Sequence, residues 1–140
     1  MDLAKVRKFA ERHLDSFEKM QIALALFRGA GPQTVAALSR LCELEVDEVR
    51  KHAEALERSG LLTLDSAETG RMGGAGEILQ LTPKGEEGAA LNDLAQLYDD
   101  DPLLVYKLLT NIAMQRIRGM AARTFADAFK LRRGKDDDDG

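Results

Sequence analysis

The stretch Val46–Ser59 most constrains what this chain can fold into. Val46, Val49, Ala53 and Leu56 recur three, four and three residues apart, so one face of a helix is apolar and the other charged. Asp47 and Glu48 fall in its first turn, where the positive end of the helix dipole favours acids. Gly60 follows and takes the left-handed conformation that ends a helix at no steric cost. Leu61 and Leu62 then open a strand. Ser66 to Gly76 forms a tip made pliant by Gly70, Gly73, Gly74 and Gly76, and Glu77 to Leu81 returns as a second strand. Upstream, Gln33 or Thr34 opens a short helix with Val35, Leu38, Leu41 and Cys42 facing inward. Glu43-Leu44-Glu45 makes the turn between the two helices.

Further helices flank this unit. Asp2 to Leu14 places Leu3, Val6, Ala10 and His13 on one side, with Phe9 and Leu14 beside them. Asp15 or Ser16 caps the next helix, Phe17 to Arg28, with Glu18 placed to reciprocate toward Asp15. That helix is apolar over more than half its surface, which predicts a central position. Gly29-Ala30-Gly31-Pro32 breaks it. A helix over Glu86 to Asp99 follows the strands, and Asp99-Asp100-Asp101-Pro102 restarts the chain with acids ahead of a proline suited to the first helical position. The last helix is predicted from about Leu103 to Leu131, with Leu104, Leu108, Ile112, Ala113, Ile117, Met120 and the segment Phe125 to Phe129 keeping one face apolar. Asp136 to Asp139 is expected to be disordered, since its charges repel and nothing there can be buried.

Composition narrows the function. No apolar run approaches the ~20 residues that span a membrane, and the opening residues lack the apolar core of a signal peptide. A single cysteine, Cys42, excludes an internal disulfide and suits a reducing cytoplasm. With two histidines and one cysteine, a zinc site needs carboxylates at unpromising spacings, so neither metal nor cofactor is expected. Cys42 lies on an apolar stripe beside Glu43, which favours a core thiol over a redox sensor. No nucleophile–base or paired-carboxylate motif stands out, so the expectation is not an enzyme. Charge is segregated under a net −4: residues 1–42 carry seven Lys/Arg against four Asp/Glu, residues 43–101 five against fifteen, and residues 102–135 eight against one.

Two phrases carry a family resemblance. Leu56-Glu57-Arg58-Ser59-Gly60-Leu61-Leu62 resembles the end of a recognition helix entering a wing. Leu79-Gln80-Leu81-Thr82-Pro83-Lys84-Gly85 resembles the second wing strand leading into the next helix. Over roughly residues 17 to 95 the chain resembles the winged helix-turn-helix of bacterial transcriptional regulators, most of all the MarR and PadR types. The resemblance implies a mainly α fold with a small β-hairpin wing. Residues 1–16 then form an N-terminal dimerisation or packing helix, 17–85 the winged core, 86–133 C-terminal dimerisation helices and 134–140 an acidic tail. It also implies a cytoplasmic homodimer reading double-stranded DNA, with recognition helices about one DNA turn, roughly 34 Å, apart.

On that reading Arg50, Lys51 and the wing-tip Arg71 contact DNA, helped by Gln33, Thr34 and Arg40. Against it, Asp47 with Lys51 and Glu54 with Arg58 stand four apart and are set to pair along a solvated face. The alternative function is a winged-helix protein-interaction module that does not bind DNA. Ile117, Met120, Arg123, Phe125 and Phe129 mark the dimerisation or partner surface. The basic flank of that last helix has three readings: it meets the acidic segment 86–101 within a dimer, binds another acidic protein, or contacts phosphates itself.

Overall fold

The computed structural model describes residues 2–29, 31–65 and 77–139, with side chains described to residue 124. It is mainly helical with a small antiparallel sheet. The elements are α1 (Leu3–His13), α2 (Phe17–Gly29), β1 (Gln33–Thr34), α3 (Val35–Cys42), α4 (Val46–Ser59), β2 (Leu62–Asp65), β3 (Ile78–Leu81), α5 (Glu87–Asp100) and α6 (Pro102–Asp139). Strand order is β1-β3-β2. Gln33 pairs with Leu79 and Thr34 with Ile78, while Leu62 to Asp65 run against Leu81 to Ile78.

Local chemistry sets most boundaries. Asp2 caps α1 by accepting the N–H groups of Ala4 and Lys5. Ser16 accepts from Lys19 N at 3.3 Å and opens α2. Thr34 Oγ1 accepts from Ala37 N at 3.0 Å and opens α3. Asp101 accepts from Leu104 N at 3.3 Å ahead of Pro102. Gly60 closes α4 at φ 93°. Glu43 closes α3 at φ 56° without being glycine, a conformation that costs an L residue about 1–2 kcal/mol. It is offset there by Leu44 N and Ser39 Oγ, which bond the turn across its ends.

The core lies where α1, α2, α4, α5 and the start of α6 meet, against the inner face of the sheet. Met20, Ile22 and Leu26 of α2 are sealed, as its nearly all-round apolar surface requires. The α4 stripe behaves as its spacing predicts, with Val49, Ala53 and Leu56 fully buried. Leu61, Leu62 and Leu79 carry the core into the sheet, and Val105, Leu109 and Ile112 seat the start of α6.

Several expectations are corrected. Leu41, inward by its spacing, is 61 % exposed, because an eight-residue helix turns only Val35 and Leu38 fully to the core. Leu3 is 53 % exposed at the fraying end of α1. On α6 the buried face runs through Val105 and Leu109 rather than Leu104. Asp15 does not engage Glu18 but holds Lys19 Nζ at 2.5 Å. Asp47 pairs with Arg50 rather than Lys51. The two-residue β1 was read only as a helix start. α6 continues past Leu131 through Asp139. The glycine-rich tip, 66–76, lies outside the described residues.

Candidate interaction surfaces

Chemistry concentrates at four places: the outer face of α4, the free length of α6, a buried polar row, and the grooves between helices. The exposed positions of α4 are Asp47, Glu48, Lys51, Glu54, Glu57 and Arg58, four acids against two bases. Arg50, expected to reach outward, is instead drawn to the start of β3. Its Nε lies 3.3 Å from Glu77 Oε1 and its Nη1 3.7 Å from Asp47 Oδ1. Gln33 is a strand residue whose side chain crowds Gly29, and Thr34 is spent on its cap. Arg40 and Lys51 are exposed. Arg71 lies outside the described residues. Of the six residues expected to contact DNA, the structure therefore gives three in-chain roles and leaves two solvent-facing.

α6 is 38 residues long, about 57 Å at 1.5 Å per residue. Among its described side chains the last buried one is Ile112, and every one from Met114 to Thr124 is exposed. Met114, Ile117 and Met120 are 48, 63 and 66 % exposed. Arg118 and Arg123 flank them in solvent. The side chains of Phe125 and Phe129 lie outside the described residues. Arg116 does not wait for a partner: its guanidinium reaches back to Asp15 Oδ2 at 2.9 Å and to the Glu11 carbonyl oxygen.

That clamp fixes the departure angle of α6. Burial works to raise the Asp15 pKa, but the Lys19 hydrogen bond and charge, with Arg116, outweigh it and hold the carboxyl below its ordinary 3.8. A depressed folded-state pKa stabilises above the unfolded value and is lost as pH falls through the folded one. We therefore expect a stability loss on acidification below about pH 4 that is smaller in Asp15→Asn. Urea denaturation across pH 3–6 reads it, and parallel curves for the two proteins contradict the clamp.

Sequence reading missed a buried row made by three distant residues. His13 is 3 % exposed. Its Nδ1 lies 2.7 Å from Ser59 Oγ, and its Nε2 contacts Glu87 Oε2. The Phe9 ring packs beside it at 5.1 Å. The Ser59 hydroxyl donates to the Leu56 carbonyl at 3.0 Å, which leaves its oxygen free to accept from Nδ1. Hydroxyl, imidazole and carboxylate are wired as in a hydrolase. Yet the ring is sealed, and Ser59 sits at the C-terminal end of α4, where carbonyls face outward with the wrong polarity for an oxyanion. The row reads as a strut joining α1, α4 and α5.

Two grooves have chemical character. One, about 470 Å³, lies between α2, α3 and α5, with Leu41, Cys42 and Tyr98 in its wall. Burial pushes the Cys42 thiol up, which keeps it protonated and a poor nucleophile. Arg28 closes one side, bonded to Asp99 at 2.5 Å and lying over the Tyr98 ring. The other, about 450 Å³, lies between α1 and the turn into α5. Among the described residues, no group of three or more His, Cys, Asp or Glu is placed to hold a metal ion, and no helix is long and apolar enough to cross a membrane. Compared with protein-family models and with curated proteins, the chain matches none.

Proposed function

We propose that this chain is a winged-helix protein-interaction module that works as a homodimer through α6. The carrying observation is the run of exposed apolar side chains, Met114, Ile117 and Met120, on a helix that has already left its own core at Ile112. Isolated exposed leucines are ordinary, but a helical stripe held at a fixed angle by the Arg116 clamp is a surface shaped for a second helix. The 27 residues after Ile112 extend about 40 Å. That length is compatible with the ~800 Å² per partner that a stable interface buries. The flanking Arg118 and Arg123 suit acidic positions on the opposing copy.

A second reading, a DNA-binding transcriptional regulator, is favoured by one observation. The order α2-β1-α3-α4-β2-β3, with strands arranged β1-β3-β2, is compatible with a winged helix, in which α4 would be the reading helix. Chemistry weighs against it here. Phosphate neutralisation supplies most non-specific DNA affinity, whereas the exposed α4 face is acidic and Arg50 is tied to Glu77.

Sedimentation of wild type and Ile117→Glu separates the readings. We expect a wild-type dimer and a variant weakened at least ~100-fold, about 3 kcal/mol, since a carboxylate is forced into an apolar seam. A monomeric wild type, or a variant as dimeric as its parent, overturns the proposal. Titration of both proteins with an arbitrary short duplex at low salt serves the second reading. Salt-dependent binding lost in Lys51→Glu establishes DNA contact through α4.

A further inference from the structure

We propose that the groove between α1 and the turn entering α5 binds a small organic phosphate. Lys5, Lys8 and Arg12 stand three and four residues apart, so they share one face of α1. Lys84 approaches the same groove from the turn after β3. Four cations thus line one concave space of about 450 Å³, floored by the buried Phe9 and Ala90.

The decisive feature is what happens to the carboxylates beside them. Glu86 is taken by Lys5 Nζ at 3.4 Å. Glu87 turns inward and gives its carboxylate to the sealed His13. Both acids stand in the groove wall, each engaged by another side chain, so four cations face two carboxylates and the lining is net positive. Among the described residues, Lys8, Arg12 and Lys84 have no ion-pair partner. Unbalanced charge of one sign in a recess with an apolar floor concentrates the field there and raises the local concentration of anions.

The geometry selects among anions. Three uncompensated cations drawn from two elements match a multiply charged head. The planar Arg12 fork accepts two oxygens of a phosphate at once, while lysines add point charge. The volume is that of a small-molecule site, and the apolar floor takes the body of an ester that a bare ion lacks. The Lys5–Glu86 pair stands in its lining, and a recess of this size suits a compact ligand better than a strand of nucleic acid. This site is independent of the α6 surface and stands or falls separately from it.

Calorimetric titration of the full chain tests it, with AMP as the phosphate-ester probe and inorganic phosphate and a short arbitrary duplex as comparators. At about 20 mM salt we expect saturable binding of AMP at one site per chain, tighter than inorganic phosphate and weakened at about 200 mM salt as counterions screen it. Lys8→Gln/Arg12→Gln, both at exposed positions, is expected to weaken AMP at least tenfold. Arg28→Gln/Lys107→Gln, both at exposed positions outside the groove, removes the same charge elsewhere and leaves AMP binding unchanged. No saturable AMP binding overturns the proposal. So does equal loss in both double variants, which makes the effect general charge. Duplex binding tighter than AMP and lost in the α1 variant overturns it too, because the groove then belongs to a nucleic-acid surface.

Discussion

His13→Leu is expected to lower folding stability by about 2–4 kcal/mol, and adding Glu87→Met is expected to cost less than the first change alone. The reason is the asymmetry between losing a hydrogen bond and orphaning its partner. In the wild type the sealed imidazole satisfies both Ser59 Oγ and Glu87 Oε2. With leucine at position 13, the Glu87 carboxylate, 15 % exposed, keeps its charge and loses its partner. Removing a buried group's only partner costs the full desolvation of what remains. Replacing both by apolar side chains of similar volume removes the orphan. The double variant forfeits only the favourable placement of an acid in the first turn of α5, about 0.3–1 kcal/mol. Ser59→Ala is expected to cost about 1 kcal/mol or less, because the Leu56 carbonyl that its hydroxyl meets keeps the Leu61 N–H. Chemical denaturation of the four proteins of the cycle gives the coupling directly. Additive losses from His13 and Glu87 mean that the two side chains do not act as one strut, and that Glu87 is free to neutralise the α1 groove.

The strut also shows which parts of this molecule a sequence discloses. The ends of α4 were legible because their causes are local: two acids at one end, Gly60 at the other, and a stripe whose period counts itself out. The three-stranded sheet was legible only in its longer strands, since β1 is two residues long and carries no alternation. Leu41 misled because a stripe of four apolar residues on a short helix spans more arc than the core covers. What decides the surfaces was hidden for a different reason. His13 meets partners 46 and 74 residues away, Arg50 meets Glu77, and Arg116 meets Asp15 across 101 residues. Each pairing removes a charge from solvent that the sequence counts as available. Arg50, given DNA contact by the family resemblance, meets Glu77, and Arg116 of the basic last helix meets Asp15. Conversely, nothing in the sequence sets Lys84 beside Lys8 and Arg12; folding brings the three around one groove.

The other large effect belongs to α4 itself. Leu56→Ala is expected to destabilise by about 3–5 kcal/mol, at the upper end of the range for a large-to-small change in a core. Leu56 is fully buried with Val49 and Ala53 on one face of α4, and it lies where α4 closes into β2. Its carbonyl receives the N–H groups of Gly60 and Leu61. The backbone at this point is held by a glycine cap at φ 93° and by sheet pairing from Leu62 onward, so the site relaxes little and most of the cavity persists. Poor relaxation is what separates the costly cases from the cheap ones at fixed chemistry. Leu41→Ala supplies the contrast: the same atoms are removed from a side chain 61 % exposed, and the expected change is within about 0.5 kcal/mol. Denaturation midpoints for the pair decide it. A Leu56→Ala loss no larger than that of Leu41→Ala means that α4 is not anchored by its apolar stripe. The acidic outer face would then no longer be the side that α4 must turn to solvent, and the electrostatic case against DNA reading through α4 would fall with it.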